Sequence, residues 1–294
     1  MKALANKVTG NSLTSDALRR LLRDNLAVVS FLIIVFYVTL AVLVKLNLLV
    51  PDWQMEIGPS RASPTPEQGW RYLFGLDIFG RSVLSKAIQG AYTAMYVGLM
   101  STLIATPIGA LLGAIAGYFG GWIDDLITWL YTTISNIPQF LLLVAFAVAL
   151  GKGINGVVIA LGLTTWVSLA RLIRGEFMKH KSREYVQAAA ALGGGHTRRM
   201  LVHILPNTLH IVIINFSTSF VIAIKSEVIL TYLGLGAQAG SASWGLMIDD
   251  AKGELVQGVW WGLLAATIFM FFICLAFSIF SDALRDAFDP KLRT

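Results

Sequence analysis

A single cysteine, Cys274, in 294 residues rules out a disulfide or a cysteine metal cluster within the chain. Charge is scarce as well: Asp, Glu, Lys and Arg make up 14% of the residues, where a soluble domain carries about 25%. So little charge cannot cover a surface that faces water on all sides. Several chemical signatures are also missing, namely the GxxxxGK[ST] phosphate loop, the HExxH zinc helix and the GxSxG nucleophile elbow. Gly151-Lys152-Gly153 lacks both the upstream glycine and the following hydroxyl of a phosphate loop. These absences argue against an enzyme, and no residue is assigned as catalytic or as a metal ligand. His203 and His210 lie seven residues apart and could share a helix face, but no third ligand accompanies them.

What the chain has in quantity is apolar sequence: 56% of its residues are hydrophobic and its mean hydropathy is +0.69. Runs near 26–46, 93–118, 126–150, 154–172, 208–230 and 259–280 each have about the length of a membrane-crossing helix. The expected fold is therefore all-α, a polytopic membrane protein of six transmembrane helices. The first run is uncharged from Leu26 to Val44, enough to cross roughly 30 Å of hydrocarbon at about 1.5 Å per residue. It exceeds the apolar core of a signal peptide and reads as an uncleaved span. The chain divides into an N-terminal segment 1–25, a membrane domain 26–280 and a tail 281–294.

A net charge of +6 could suggest nucleic acid, but the basic residues lie between the spans and not along one face, so no nucleic-acid partner is expected. Lys2, Lys7, Arg19, Arg20 and Arg23 precede the first span. Arg171, Arg174, Lys179, Lys181, Arg183, Arg198 and Arg199 separate the fourth from the fifth, and Arg285, Lys291 and Arg293 follow the sixth. The positive-inside rule makes these segments, and both termini, cytoplasmic. Outside, the proline-rich stretch 51–70 and residues 231–258 read as irregular loops. The tryptophans, Trp53, Trp70, Trp122, Trp129, Trp166, Trp244, Trp260 and Trp261, mostly flank the spans, as an aromatic belt would.

Several residues stand out against this background. Gly109, Gly113, Gly117 and Gly121 recur every fourth residue, a stripe suited to close helix packing, within the chain before any subunit interface. Lys225 and Glu227 fall near the outer end of the fifth span, where charge must be paired, snorkel to the interface or line a watery path. Asp249, Asp250 and Glu254 in the second outer loop could meet a basic patch on a partner.

Between the fourth and fifth spans, Glu184-Tyr185-Val186-Gln187-Ala188-Ala189-Ala190-Ala191-Leu192-Gly193 predicts a short helix stopped by glycine. Leu205-Pro206 then opens the next span, a position where proline is tolerated. The spacing of Ala188, Ala189, Gly193 and Leu205-Pro206 resembles the EAA loop of binding-protein-dependent ABC importers, with Gln187 where that motif usually has an acid. Phe74-Gly75-Leu76-Asp77-Ile78-Phe79-Gly80-Arg81-Ser82-Val83-Leu84-Ser85-Lys86 resembles a GTDxxGRDxxSR signature, departing at Leu76, Ser82 and Lys86. Tyr232-Leu233-Gly234-Leu235-Gly236 with Trp244-Gly245 resembles FLGLG…WG, and 282–290 resembles LRDxxDP. These segments are similar to the C-type permease of dipeptide, oligopeptide and nickel importers.

The resemblance implies that segment 174–207 carries a coupling helix that seats in an ATPase subunit. It implies a second permease as heterodimer partner, two ATPase subunits that use ATP and Mg, and an extracytoplasmic solute-binding protein. It places the chain in the bacterial inner (plasma) membrane with no cofactor of its own. Short peptides are the expected cargo, with nickel second. A polytopic membrane enzyme using Glu227, Asp249 or the histidines, or a passive channel, are the alternative classes.

Overall fold

The structure is a computed structural model that describes residues 19–288; Lys2 and Lys7 at one end, and Asp289, Pro290, Lys291 and Arg293 at the other, lie outside the described residues. Helix α1, Asn25–Lys45, starts where the Asp24 carboxylate accepts from the amides of Leu26 (2.9 Å) and Ala27. It contains no glycine or proline and ends just before Asn47, which has φ +56°. Helix α2, Val83–Phe119, begins ten residues before the apolar run predicted at 93–118. Ser82 caps it, accepting from Ser85 N at 3.2 Å, and its first turns carry Ser85, Lys86 and Gln89, which hydropathy leaves out. It ends at Gly120 (φ +69°), so Gly121 falls outside the α2 stripe and opens the next helix.

The span expected at 126–150 is not one rod. Helices α3, Gly121–Ser135, and α4, Gln139–Ala149, are bent by 90° at Asn136-Ile137-Pro138. Proline disfavours helical backbone at the residue before it, so the chain turns there although the hydropathy runs on. Helices α5, Ile154–Thr164, and α6, Val167–Lys181, together make one 28-residue span. It runs nine residues past the predicted end because its last turns are amphipathic and basic. A short helix, α7, covers Glu184–Ala191. A helical turn at His196–Arg198 and a π-helical stretch at Arg199–Ile204 then lead into α8, Leu205–Tyr232. Helices α9, Trp244–Leu255, and α10, Trp261–Phe288, complete the chain. Among the described residues five helices are long and apolar enough to cross a membrane, six if the bent α3–α4 pair is one span. The fold is all-α; extended pairing among the described residues is confined to two isolated bridges, Glu56 with Arg81 and Leu76 with Ser82.

Helix α2 is the central rod, packed against α1, α5, α6 and α8. Its closest approach is to α6, where three glycines let backbone meet backbone. A methyl at Gly109 would lie 2.6 Å from the Trp166 carbonyl oxygen, and methyls at Gly113 and Gly117 would press on the carbonyls of Ala170 and Arg174. The stripe therefore packs within the chain. Gly121, with open space around it, takes no part. At the Gly117 end of this seam Arg174 grips Asp124 of α3 with two hydrogen bonds, Nε to Oδ1 at 2.5 Å and a terminal nitrogen to Oδ2 at 2.7 Å.

The segment that precedes α2 and the connection between α8 and α10 are more ordered than their composition suggests. Asp77 accepts from the amides of Phe79 (2.8 Å) and Arg81 (3.0 Å) and from the Arg81 guanidinium (2.9 Å), which folds the Gly75–Arg81 segment into a tight turn at the start of α2. Gly80, at φ +72°, passes so close to the Gly58 carbonyl that no side chain fits. Helix α9 occupies the stretch read as an irregular loop, 231–258. Ser243 caps it, accepting from Leu246 N at 3.3 Å, and Trp244 Nε1 donates to the Ala87 carbonyl of α2 at 2.9 Å. Trp166, Trp244 and Trp261 are core residues, whereas Trp70, Trp122, Trp129 and Trp260 are exposed as a belt requires.

Candidate functional site

The short helix α7 begins after Arg183 takes an extended conformation and ends in a Schellman motif. Gly194 N donates to the Ala189 carbonyl (2.9 Å), Gly193 N donates to the Ala190 carbonyl (3.0 Å), and Gly193 sits in the left-handed region at φ +81°. A side chain at Gly194 would press on the Ala189 carbonyl, so both glycines are needed for this turn. One side chain anchors the helix: Val186 is buried among Ala114, Tyr118, Leu169, Ile173, Phe177 and Ile204, which joins α7 to α2, α6 and the entry to α8. The Tyr185 hydroxyl and His180 Nδ1, 2.7 Å apart, fasten it again to the end of α6.

Apart from the partly covered Ala189 and Ala190, the rest of α7 is exposed. Glu184, Tyr185, Gln187, Ala188 and Gly193 are exposed, Ala189 is partly covered, and Leu192 is 89% exposed. Leu192 was not singled out by sequence reasoning, because an apolar residue before a glycine carries no signal of its exposure. Gln187 donates its amide to the Ser182 carbonyl at 3.2 Å, a bond that an acid at this position could not make when ionised. Leu205 is partly buried and Pro206 exposed, at the first turn of α8 as predicted.

In the fifth span the structure separates the two predicted charges. Glu227 is fully buried, and its Oε1 accepts from Thr231 Oγ1 (2.8 Å) and from Ser243 Oγ (3.1 Å), tying α8 to the start of α9. Its Oε2 is buried without a hydrogen-bond partner among the described residues. Lys225 instead lies on an uncovered stripe of α8 with Thr218, Ile222, Ile229 and Tyr232. The two side chains do not form a pair.

The three outer acids do not form a free patch. Asp249 pairs with Lys252 at 2.6 Å, and the Lys252 ammonium lies 3.6 Å from the centre of the Tyr232 ring. Asp250 pairs with the buried Lys86 at 2.8 Å, and Lys86 also lies 3.7 Å from Asp77, so α9 is stapled to the start of α2. Glu254 is 6% exposed and unavailable to a partner surface. Its burial raises the carboxyl above the ordinary range. A carboxyl that holds its proton more tightly when folded leaves stability lower at high pH. Glu254→Gln is therefore expected to melt higher than the parent protein near pH 8. The gap should close as the pH falls into the ordinary carboxyl range, which thermal denaturation in detergent at several pH values would measure.

The groups these elements bring together fit docking and packing, and no set of three metal-binding side chains occurs among the described residues. Comparison with known proteins gives a consistent picture. Residues 109–294 match the model described as binding-protein-dependent transport system inner membrane component, and residues 12–59 match the N-terminal TM domain of oligopeptide transport permease C. The chain is 34% identical to the dipeptide transport system permease protein DppC of Bacillus subtilis (strain 168), over 96% of this chain and 87% of that one. It is also 34% identical to the oligopeptide transport system permease protein OppC of Salmonella typhimurium, over 98% of this chain and 94% of that one.

Proposed function

This chain belongs to the family of binding-protein-dependent transport system inner membrane components, and from that premise we propose that it forms half of the peptide path in an ATP-driven importer. Its relatives carry dipeptides and oligopeptides by name, and the same cargo class is inferred here. A second permease would supply the other half, an extracytoplasmic binding protein would deliver the peptide, and two ATPase subunits would use ATP and Mg. Both termini are assigned to the cytoplasm from the distribution of Lys and Arg. The exposed stripe of α8 that carries Thr218 and Lys225 is the candidate wall of the path. Glu227, enclosed behind that helix, keeps α8 and α9 in register.

The observation that carries this reading is α7: a rigid, glycine-terminated helix held between two spans by one buried side chain, with Leu192 projecting outward. A force on it would pass through Val186 to Ala114 and Tyr118 near the cytoplasmic end of α2. Helix α2 is about 55 Å long at ~1.5 Å per residue, and its other end holds Lys86 against Asp250 of α9. Motion of α7 can thus reach the outer layer along one continuous rod.

Leu192→Cys in the assembled importer tests the assignment. A short thiol crosslinker is expected to join it to an ATPase subunit, with the yield changing between nucleotide-free and ATP-bound states. A residue 192 labelled only from outside the cell, or never joined to an ATPase, would overturn the reading.

A further inference from the structure

Behind α7 lies a pocket of about 230 Å³ that no packing requirement explains, lined by Tyr118, Lys181, Gln187, Ala190, His196 and Arg199 among others. Its chemistry is one-sided. The Lys181 ammonium and the Arg199 guanidinium each lie 5.8 Å from the centre of the Tyr118 ring, and no carboxylate pairs with either cation among the described residues. Of the nearby bases, Arg174 pairs with Asp124, Lys179 with Glu176, and Arg171 with Ser135 and the Tyr131 ring, whereas Arg183 and Arg198 are exposed to solvent.

His196 Nδ1 lies 3.0 Å from an Arg199 terminal nitrogen and 3.1 Å from the Tyr118 hydroxyl. The guanidinium can only donate, so Nδ1 is the acceptor and the other ring nitrogen, Nε2, is left to donate. Arg199 Nε is buried without a hydrogen-bond partner among the described residues. A buried, unpaired guanidinium nitrogen next to a second cation is unfavourable, and an anion in the pocket would relieve it.

We propose that this pocket receives the carboxylate of an Asp or Glu side chain from the ATPase subunit that grips α7. The inference rests on the coupling reading of α7 and adds the chemistry of the contact. A guanidinium presents a planar fork that fits a carboxylate with two parallel bonds, and Lys181 adds a point charge on the same site. Gln187 and Ala190 belong to α7, so a group in the pocket lies within two helical turns of Leu192, on the surface the ATPase would hold. Gln187 contributes no charge of its own. At the pocket the basic side of the contact belongs to this chain and the acidic side to the partner, while Glu184 stands exposed on the first turn of α7.

Carbodiimide, which joins an amine directly to a carboxylate, tests this in the assembled importer in lipid nanodiscs. Lys181 is expected to link to an Asp or Glu of an ATPase subunit, identified by mass spectrometry, and Lys181→Gln should abolish that link. Lys181→Gln/Arg199→Gln together should release the ATPase at a several-fold lower salt concentration, because the lost pair is the salt-sensitive part of the contact. Arg199→Lys, keeping the charge, should restore part of the salt tolerance, which a mere folding defect would not. If Leu192→Cys crosslinks to the ATPase while Lys181 never does, the coupling reading stands and the carboxylate site fails. Equal salt tolerance in the double variant, or loss of co-purifying anionic phospholipid with the ATPase retained, also overturns it, the latter by making the pocket a headgroup site.

Discussion

Gly193→Val is expected to abolish peptide-stimulated ATP hydrolysis in the assembled importer while leaving the subunit present in the membrane at normal levels. Gly193 has φ +81°, and beyond its two chain neighbours no atom of the described residues lies within 4 Å of where its Cβ would be, so the substitution meets no steric obstacle beyond the local backbone. A β-branched residue in the left-handed region costs roughly 1–2 kcal/mol or more. Against a total stability of about 5–15 kcal/mol that leaves the fold standing. Locally the chain escapes the strain by giving up the Schellman bonds from Gly193 and Gly194, which releases the last turn of α7 and moves Leu192. Stimulated turnover should fall at least tenfold in proteoliposomes containing the ATPases and the binding protein. Gly193→Asn, which tolerates the same φ, should keep most of it. Full stimulation in the valine variant would show that the geometry of this helix end does not transmit the ATPase cycle.

Why α7 was legible in the sequence while other elements were not has a physical explanation. A run of alanines followed by three glycines is locally decisive, since propensity and φ preference agree on where the helix stops. The same holds for α1, an uncharged, mostly apolar run from Leu26 to Val44 with no glycine or proline after its Asp24 cap. Helix α3 and helix α4 were fused by hydropathy because a sliding window weighs Ile137 and Pro138 by transfer energy and ignores that Pro138 cannot continue the ladder. Helix α9 was lost for the opposite reason. Its residues Asp249, Asp250, Lys252 and Glu254 make it look like loop, and its helical identity depends on the Ser243 cap and on Trp244 reaching α2, a contact across more than 150 residues.

The ionic pattern was the least readable. Lys225 and Glu227 are two residues apart and oppositely charged, which suggests a pair, but two residues along a helix is a rotation of about 200°. One therefore points at Thr231 and Ser243 while the other faces outward. Lys86 was read as a departure from a signature, yet it is the buried centre that Asp77 and Asp250 share. Arg199 and Lys181 were read for membrane orientation alone. Their convergence on Tyr118 depends on α2, α6 and the entry to α8 ending at the same height, which no local pattern records.

Gly113→Leu is expected to remove the folded subunit from the membrane almost completely. Where Gly193 is spacious and conformationally special, Gly113 is conformationally ordinary and has no space. Its Cβ would overlap the Ala170 carbonyl oxygen and lie 3.0 Å from the Ile173 Cβ, so the first obstacle is backbone, which has no rotamer to change. Overpacking a core costs about 1–3 kcal/mol when side chains can adjust, and more when they cannot. Helix α6 cannot simply slide away, because Arg174 holds it to Asp124 and His180 holds it to Tyr185. Separation of α2 from α6 would also open the cluster around Val186 and so undo the anchorage of α7. Gly175→Ala is the matched control, since that glycine is helical and has nothing within 4 Å of its Cβ position. It should accumulate normally and gain up to about 1 kcal/mol from helix propensity. Membrane protein levels and thermal unfolding in detergent would separate the two. Comparable behaviour of Gly113→Leu and Gly175→Ala would mean that the α2–α6 seam is not the close contact on which the coupling route depends.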